Sequence, residues 1–290
     1  PSMKAMPQLK QALKDRYNIQ TISGIDTSGV PAAVDVLFVA RPNNGLSEEA
    51  AQAVDQYVMR GGRVLFALNQ AQANMRFGRA FPQDTGLGRL LSTYGLPLEN
   101  NLVRDRKASV IRVQQQRGGF RTVNRVPYPY TPKITTFSDH PISKGLDQVV
   151  FRFVSSLDTT QVDTSAQQFT ALARSSSQSA GASLPANINP QQQWSPADFS
   201  ESSFPVAGLL KGTFTSAYTG VDTLSLERTQ SPETEMVVVG DGDFFVNGSG
   251  QRKQRLPEGN VNFVVNSIDY LADDTGLISL RTQRVTSRPL

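Results

Sequence analysis

Two carboxylates one residue apart, Asp241 and Asp243, flank Gly242 at the end of an all-apolar run, Met236-Val237-Val238-Val239-Gly240. In an open α/β sheet, ligands bind beyond the carboxyl ends of the strands, so such a pair is able to hold a hard cation or a sugar hydroxyl. The same residues suit a strand-to-loop turn in which each side chain accepts from nearby backbone N–H groups. His140 is the single histidine and precedes Pro141. Any Ser/His triad would have to use it, and it serves equally as a turn residue. Asp241, Asp243 and His140 are therefore the candidate ligand-binding residues, and neither a catalytic residue nor a metal-ligand set is assigned.

A third group lies mid-chain. Arg104, Arg106, Lys107, Arg112, Arg117, Arg121 and Arg125 are interleaved with Gln114-Gln115-Gln116. An anionic partner or a lipid surface could use this positive bias; a solvated loop face is the other reading, because the charges follow neither a helical nor a strand period.

What is missing narrows the chemistry further. The chain has no cysteine, which removes disulfides, thiolate metal sites and cysteine nucleophiles together. One imidazole falls short of the two or three in a His-based zinc site. No G-x-x-x-x-G-K-[ST] occurs, and Gly86-Leu87-Gly88 lacks the third glycine of a dinucleotide fingerprint, so no cofactor is expected. With 29 basic and 25 acidic residues the net charge is only +4, too dilute over 290 residues for a nucleic-acid footprint. No stretch reaches the ~18–20 apolar residues of a membrane span, and residues 1–20 lack the apolar centre of a signal peptide. The expectation is a soluble body cut from something longer.

These residues need elements to position them. Residues 4–15 read as a helix with Leu9, Ala12 and Leu13 on one face, and Tyr17 to Ser23 as a strand. Val34 to Ala40 is almost wholly apolar, as a parallel strand buried on both faces should be, and Arg41-Pro42 ends it. Ser47 caps a helix whose stripe is Ala50, Ala53, Val54, Tyr57 and Val58, Gly61-Gly62 stops it, and Arg63 to Leu68 follows as a strand. Strand, helix and strand in that span make a βαβ unit. A helix near 86–94, short strands at Leu102-Val103, Val149–Val154 and Phe169–Ala173, and strands at Val206–Leu210 and Met236–Gly240 come next. A helix from Pro257 to Leu271 and a strand at Leu277–Leu280 close the series. The expected fold is α/β, an open and mostly parallel sheet with helices on both faces. It forms one interwoven domain over 1–290, with loop-rich excursions at 104–150 and 175–203.

Several blocks, taken in order, resemble a known family. They are Val34 to Pro42, Leu46-Ser47-Glu48-Glu49, Val54 to Phe66, Leu90 to Leu96, His140-Pro141-Ile142, Val150 to Phe153 with Ser155-Ser156, Gly240 to Phe245, Asn260 to Phe263 and Ile268 to Ala272. The chain resembles the extracytoplasmic region of gliding-motility-associated, GldG-like auxiliary components of ABC transporters. That resemblance implies a fold of flavodoxin-like or glutamine-amidotransferase-like (GIFT-like) type. It further implies a non-catalytic domain on the outer side of the cytoplasmic membrane, beside permease and ATPase subunits, binding a partner protein or a glycan. Membrane helices flank this region in the family, so the chain reads as a soluble piece of a membrane-anchored parent ending near Arg288-Pro289-Leu290. The resemblance also implies a preceding strand with a Gly-His-Gly-Glu-like turn, which residues 1–290 do not include. The alternative is a metal-assisted hydrolase using Asp241 and Asp243.

Overall fold

The computed structural model describes residues 3–22, 29–42, 44–117, 120–201, 203–221, 226–248 and 253–273. The chain opens with a one-turn 3-10 segment, Met3–Ala5, and helix α1, Pro7–Leu13, which buries Leu9 and Leu13. Residues 17–22 form no strand, against expectation. Strand β1, Val36–Ala40, helix α2, Glu48–Met59, and strand β2, Arg63–Ala67, form the βαβ unit, with β1 and β2 parallel. Ser47 Oγ accepts the Ala50 N–H at 3.2 Å, and Glu48 and Glu49 occupy the first turn, where the helix dipole favours anions. Gly61, at φ +92°, takes the left-handed position that ends the helix.

Next come β3, Ala71–Asn74, and β4, Arg79–Pro82, then α3, Gly88–Thr93, and β5, Asn101–Asp105. β6, Ala108–Arg117, and β7, Phe120–Ile134, build a long antiparallel hairpin, followed by β8, Thr136–Phe137, and β9, Val149–Val150. The later strands are β10, Gln167–Arg174, β11, Ser179–Ser183, β12, Ala186–Asn187, β13, Pro205–Gly212, and β14, Thr234–Val239. Helix α4, Glu258–Leu271, buries Val261, Val264, Val265, Ile268 and Leu271. The strand expected at Leu277–Leu280 lies outside the described residues.

The main sheet has the order β1-β2-β14-β13-β10-β8. Only β1, β2 and β14 are parallel; β13, β10 and β8 add antiparallel. Side chains alternate across it as the pleat requires. Leu65, Ala67, Val237 and Val239 point into a core shared with α1 and α4, whereas Val64, Phe66, Met236 and Val238 point into one shared with α2 and α3. A third, smaller core around Leu102, Tyr128, Tyr130, Leu184 and Ile188 lies beneath the hairpins.

The expected open, mostly parallel α/β sheet of flavodoxin-like type is therefore incorrect. The molecule is mostly β, built from mixed and antiparallel sheets, with four α-helices among the described residues. The parallel triad was conspicuous because its strands carry continuous apolar runs, those of β2 and β14 buried between the helices. The antiparallel strands were not, because strands such as β6 and β7 carry charge on a solvated face, with Arg112 and Arg125 exposed. The segments 104–150 and 175–203, read as loop-rich, carry β6 to β9 and β11 to β12 respectively. β1 also departs from expectation: it ends the sheet order, and only Leu37 of its residues is buried.

Candidate functional site

β1, β2 and β14 run parallel in register, so the residues just after them converge. The Arg41 N–H bonds Ala67 O at 2.9 Å, and the Leu68 N–H bonds Val239 O at 3.0 Å. Arg41 follows β1, Asn69 follows β2 by two residues, and Asp241 follows β14 by two, which gathers three polar side chains at one end of the sheet. The approach is close: a Cβ on Gly242 would lie 2.8 Å from Arg41 Cβ and 2.9 Å from Ala67 O, and one on Gly240 would lie 2.0 Å from Ser155 O. Only glycine fits at either position.

Asp241 and Asp243 do come together, and their oxygens are occupied. Asp241 is fully buried; Oδ1 accepts the Asp243 N–H at 2.6 Å and Oδ2 the Arg152 N–H at 2.6 Å. Asp243 Oδ1 pairs with Arg41 Nη1 at 2.5 Å, and Oδ2 accepts Asn69 Nδ2 at 2.9 Å. Asn69 closes the ring by accepting the Gly242 N–H on Oδ1 at 2.6 Å. Burial, and then the neighbouring Asp243 charge, push the Asp241 carboxyl up to about 7, against the opposing pull of its two backbone donors. Arg41 sits at φ +46°, an uncommon conformation for a side chain of its size, and its Nε is buried without a hydrogen-bond partner among the described residues.

This arrangement is a latch that ties three strand ends to the segment at Arg152. Each oxygen of the two carboxylates already accepts from a group of the chain, and Asp241 is fully buried. Among the described residues no group of three or more His, Asp or Glu side chains is placed to hold a metal.

His140 stands apart from the carboxylates. Its Nδ1 accepts the Ile142 N–H at 3.3 Å, capping a 3-10 turn at Pro141–Ser143, and its ring meets Tyr270 of α4 edge-on with centroids 4.7 Å apart. Burial lowers its pKa. The arginines also disperse. Arg104 Nε donates to Asp198 O at 2.9 Å with its guanidinium 5.5 Å above the Trp194 ring, while Arg112 and Arg125 face each other across the β6–β7 hairpin. The side chains of Arg117 and Arg121 lie outside the described residues.

Reading the sequence missed Arg41 and Asn69. The signal was present, since each is a polar residue one or two places past an apolar parallel strand, where side chains from neighbouring strands must meet. Two concavities lie elsewhere. A cleft of about 740 Å³ between α1 and the start of α4 is lined by amides, among them Gln8, Gln11, Asn247, Gln254 and Asn262. A second, of about 480 Å³, runs beside β1 along residues 17–22 and α1.

Comparison with known proteins adds family and fold. In overall structure the chain is similar to the solved mmIFT52 N-terminal domain, with a TM-score of 0.55 and 15% identity over 95% of this chain and 93% of that one. At that identity the likeness concerns the fold alone. No curated protein matches the sequence significantly. A family model described as an ABC-type uncharacterized transport system matches residues 2–267. That span runs from α1 through most of α4 and includes every residue of the strand-end latch, so the chain belongs to the ABC-type uncharacterized transport system family, as an auxiliary component of such a system.

Proposed function

We propose that the chain is a non-catalytic domain on the extracytoplasmic side of the cytoplasmic membrane, one that holds a partner protein or a glycan beside the permease and ATPase subunits of its transporter. Gliding motility is the setting that the sequence resemblance favours. The observation that carries this reading is the engagement of every strand-end carboxylate oxygen by a donor of the chain itself. A general acid or base must reach a substrate proton, and a metal ligand must offer a free lone pair. Asp241 and Asp243 spend all four oxygens on Arg152, Asp243, Arg41 and Asn69. The absence of cysteine removes the thioester chemistry of amidotransferase-type sites. The amide-lined cleft supports a glycan in particular, because carboxamides offer both a donor and an acceptor to hydroxyl groups. No observation favours the metal-assisted hydrolase.

The test is affinity purification of the tagged, full-length parent from mild detergent, with surface labelling of intact spheroplasts by a membrane-impermeant amine reagent. Co-purification of the permease and ATPase together with labelling of this domain is expected. A parent that purifies alone, or a domain labelled only after lysis, overturns the reading.

A further inference from the structure

The β6–β7 hairpin has two unlike faces. Ile111 packs inward against the small core with Tyr128 and Tyr130. Cross-strand partners share a face, and so do residues two apart, so the outward face carries Val110, Arg112, Val123, Arg125 and Pro127. All five are exposed, Val110 at 45% and Val123 at 56%. Arg112 stands directly opposite Arg125, a like-charge pairing that costs stability. Neither forms an ion pair with a described residue.

The β3–β4 hairpin repeats the pattern. Its turn exposes Phe77 at 72% and Met75 at 39%, and β4 exposes Phe81 at 50%, with Arg76 and Arg79 between them, neither in an ion pair with a described residue. The Tyr128 hydroxyl, on the core-facing side of β7, meets Met75 Sδ at 3.6 Å, so this turn lies beside the β6–β7 hairpin. The sequence segregates charge in the same way. From Arg106 to Ser138 there are seven basic residues and no acidic one, and from Gln70 to Gln83 two basic and no acidic. The remainder of the chain holds 20 basic against 25 acidic residues. The +4 net charge is therefore the difference between a cationic pair of hairpins and an anionic body.

We propose that the outward faces of the β3–β4 and β6–β7 hairpins form a docking surface for an anionic phospholipid bilayer. Unpaired arginines meet phosphate headgroups, and the isolated apolar side chains beside them enter the interfacial layer. The charge complementarity is one-sided, as a lipid surface requires. The apolar groups stand out from turns and strand faces, and none of them lines either cavity, as the anchor pocket of a protein partner would require. This surface does not depend on which side of the membrane the domain occupies.

Co-sedimentation of the 290-residue chain with vesicles tests it, comparing equimolar phosphatidylglycerol and phosphatidylcholine with phosphatidylcholine alone. Binding to the anionic vesicles only is expected, weakening with added salt. The double variant Arg112→Glu/Arg125→Glu should bind at least about thirtyfold more weakly. Phe77→Ser/Phe81→Ser should also lose affinity, while Lys14→Glu, an exposed reversal at the C-terminal cap of α1 and outside both hairpins, should not. Each altered residue is exposed, and an unchanged melting curve confirms that each variant folds. Equal binding to both vesicle types, or binding indifferent to these hairpin variants, overturns the proposal. So does capture by soluble polyglutamate that matches vesicle binding and ignores the phenylalanine changes, which would assign the surface to an acidic protein segment.

Discussion

At the scale of single residues, Asp241 shows how burial converts a surface-type side chain into a pH-sensitive strut. Its carboxyl ionises near 3.8 when free and near 7 when folded. Between those values the unfolded chain gives up its proton while the folded one keeps it, so this residue's contribution is fully present below 3.8 and is lost as pH rises through 7. His140 works in the opposite direction. Its folded pKa lies below the ordinary 6.5, so the folded state is favoured above 6.5 and loses that advantage as pH falls through the folded value. Because the two slopes oppose each other, the informative measurement is the melting temperature of the wild type minus that of Asp241→Asn across this range. The difference should shrink as pH rises, because only the wild type weakens through Asp241. A difference that stays constant with pH would mean that Asp241 does not titrate there. The variant should be less stable throughout, since a carboxamide cannot accept both the Asp243 and Arg152 N–H groups without turning its own NH₂ toward one of them.

At the scale of elements, close approach governs the latch. A methyl group on Gly240 would fall 2.0 Å from the backbone oxygen of Ser155, whose own N–H donates to Gly240 O at 2.9 Å. Gly240→Ala should therefore destabilise the chain by about 1–3 kcal/mol, read as a lower urea midpoint with an unchanged slope. An unchanged midpoint would show that the crossing is looser than described. The elements that meet at this latch were legible from sequence. β1, β2 and β14 announce themselves as unbroken apolar runs, and α2 and α4 by their apolar stripes and, for α2, by its Ser47 cap. The pairing of Asp241 with Asp243 could also be read from their spacing. What occupies their oxygens could not, because Arg41, Asn69 and Arg152 are distant in sequence and are brought together by strand order. The hairpins escaped for another reason. Val110, Arg112, Val123 and Arg125 face water, β7 contains three prolines, and residues such as Tyr128 and Tyr130 pack on a small core assembled from five separated segments.

At the scale of the whole molecule, the three cores share walls. Leu102 and Val103, adjacent on β5, point into the small core and into the α4-side core respectively, and the two larger cores share the strands of the main sheet. The chain should accordingly unfold as one cooperative unit. Trp194, the only tryptophan, packs against the small core, so its fluorescence reports that region while far-UV circular dichroism reports mainly the large sheet. The two melting curves are expected to coincide, and an earlier tryptophan transition would make the hairpin region a separate unit. One further property follows from the sheet order. β14, residues 234–239, lies between β2 and β13, so the middle of the sheet is supplied by a segment far downstream of β2 in the chain. Until it emerges, β2 has an empty flank and neither large core has its full lining. Such non-local pairing makes assembly slow. The nascent polypeptide is thereby held back from early collapse into its final form and remains threadable until residues 234–239 have been made.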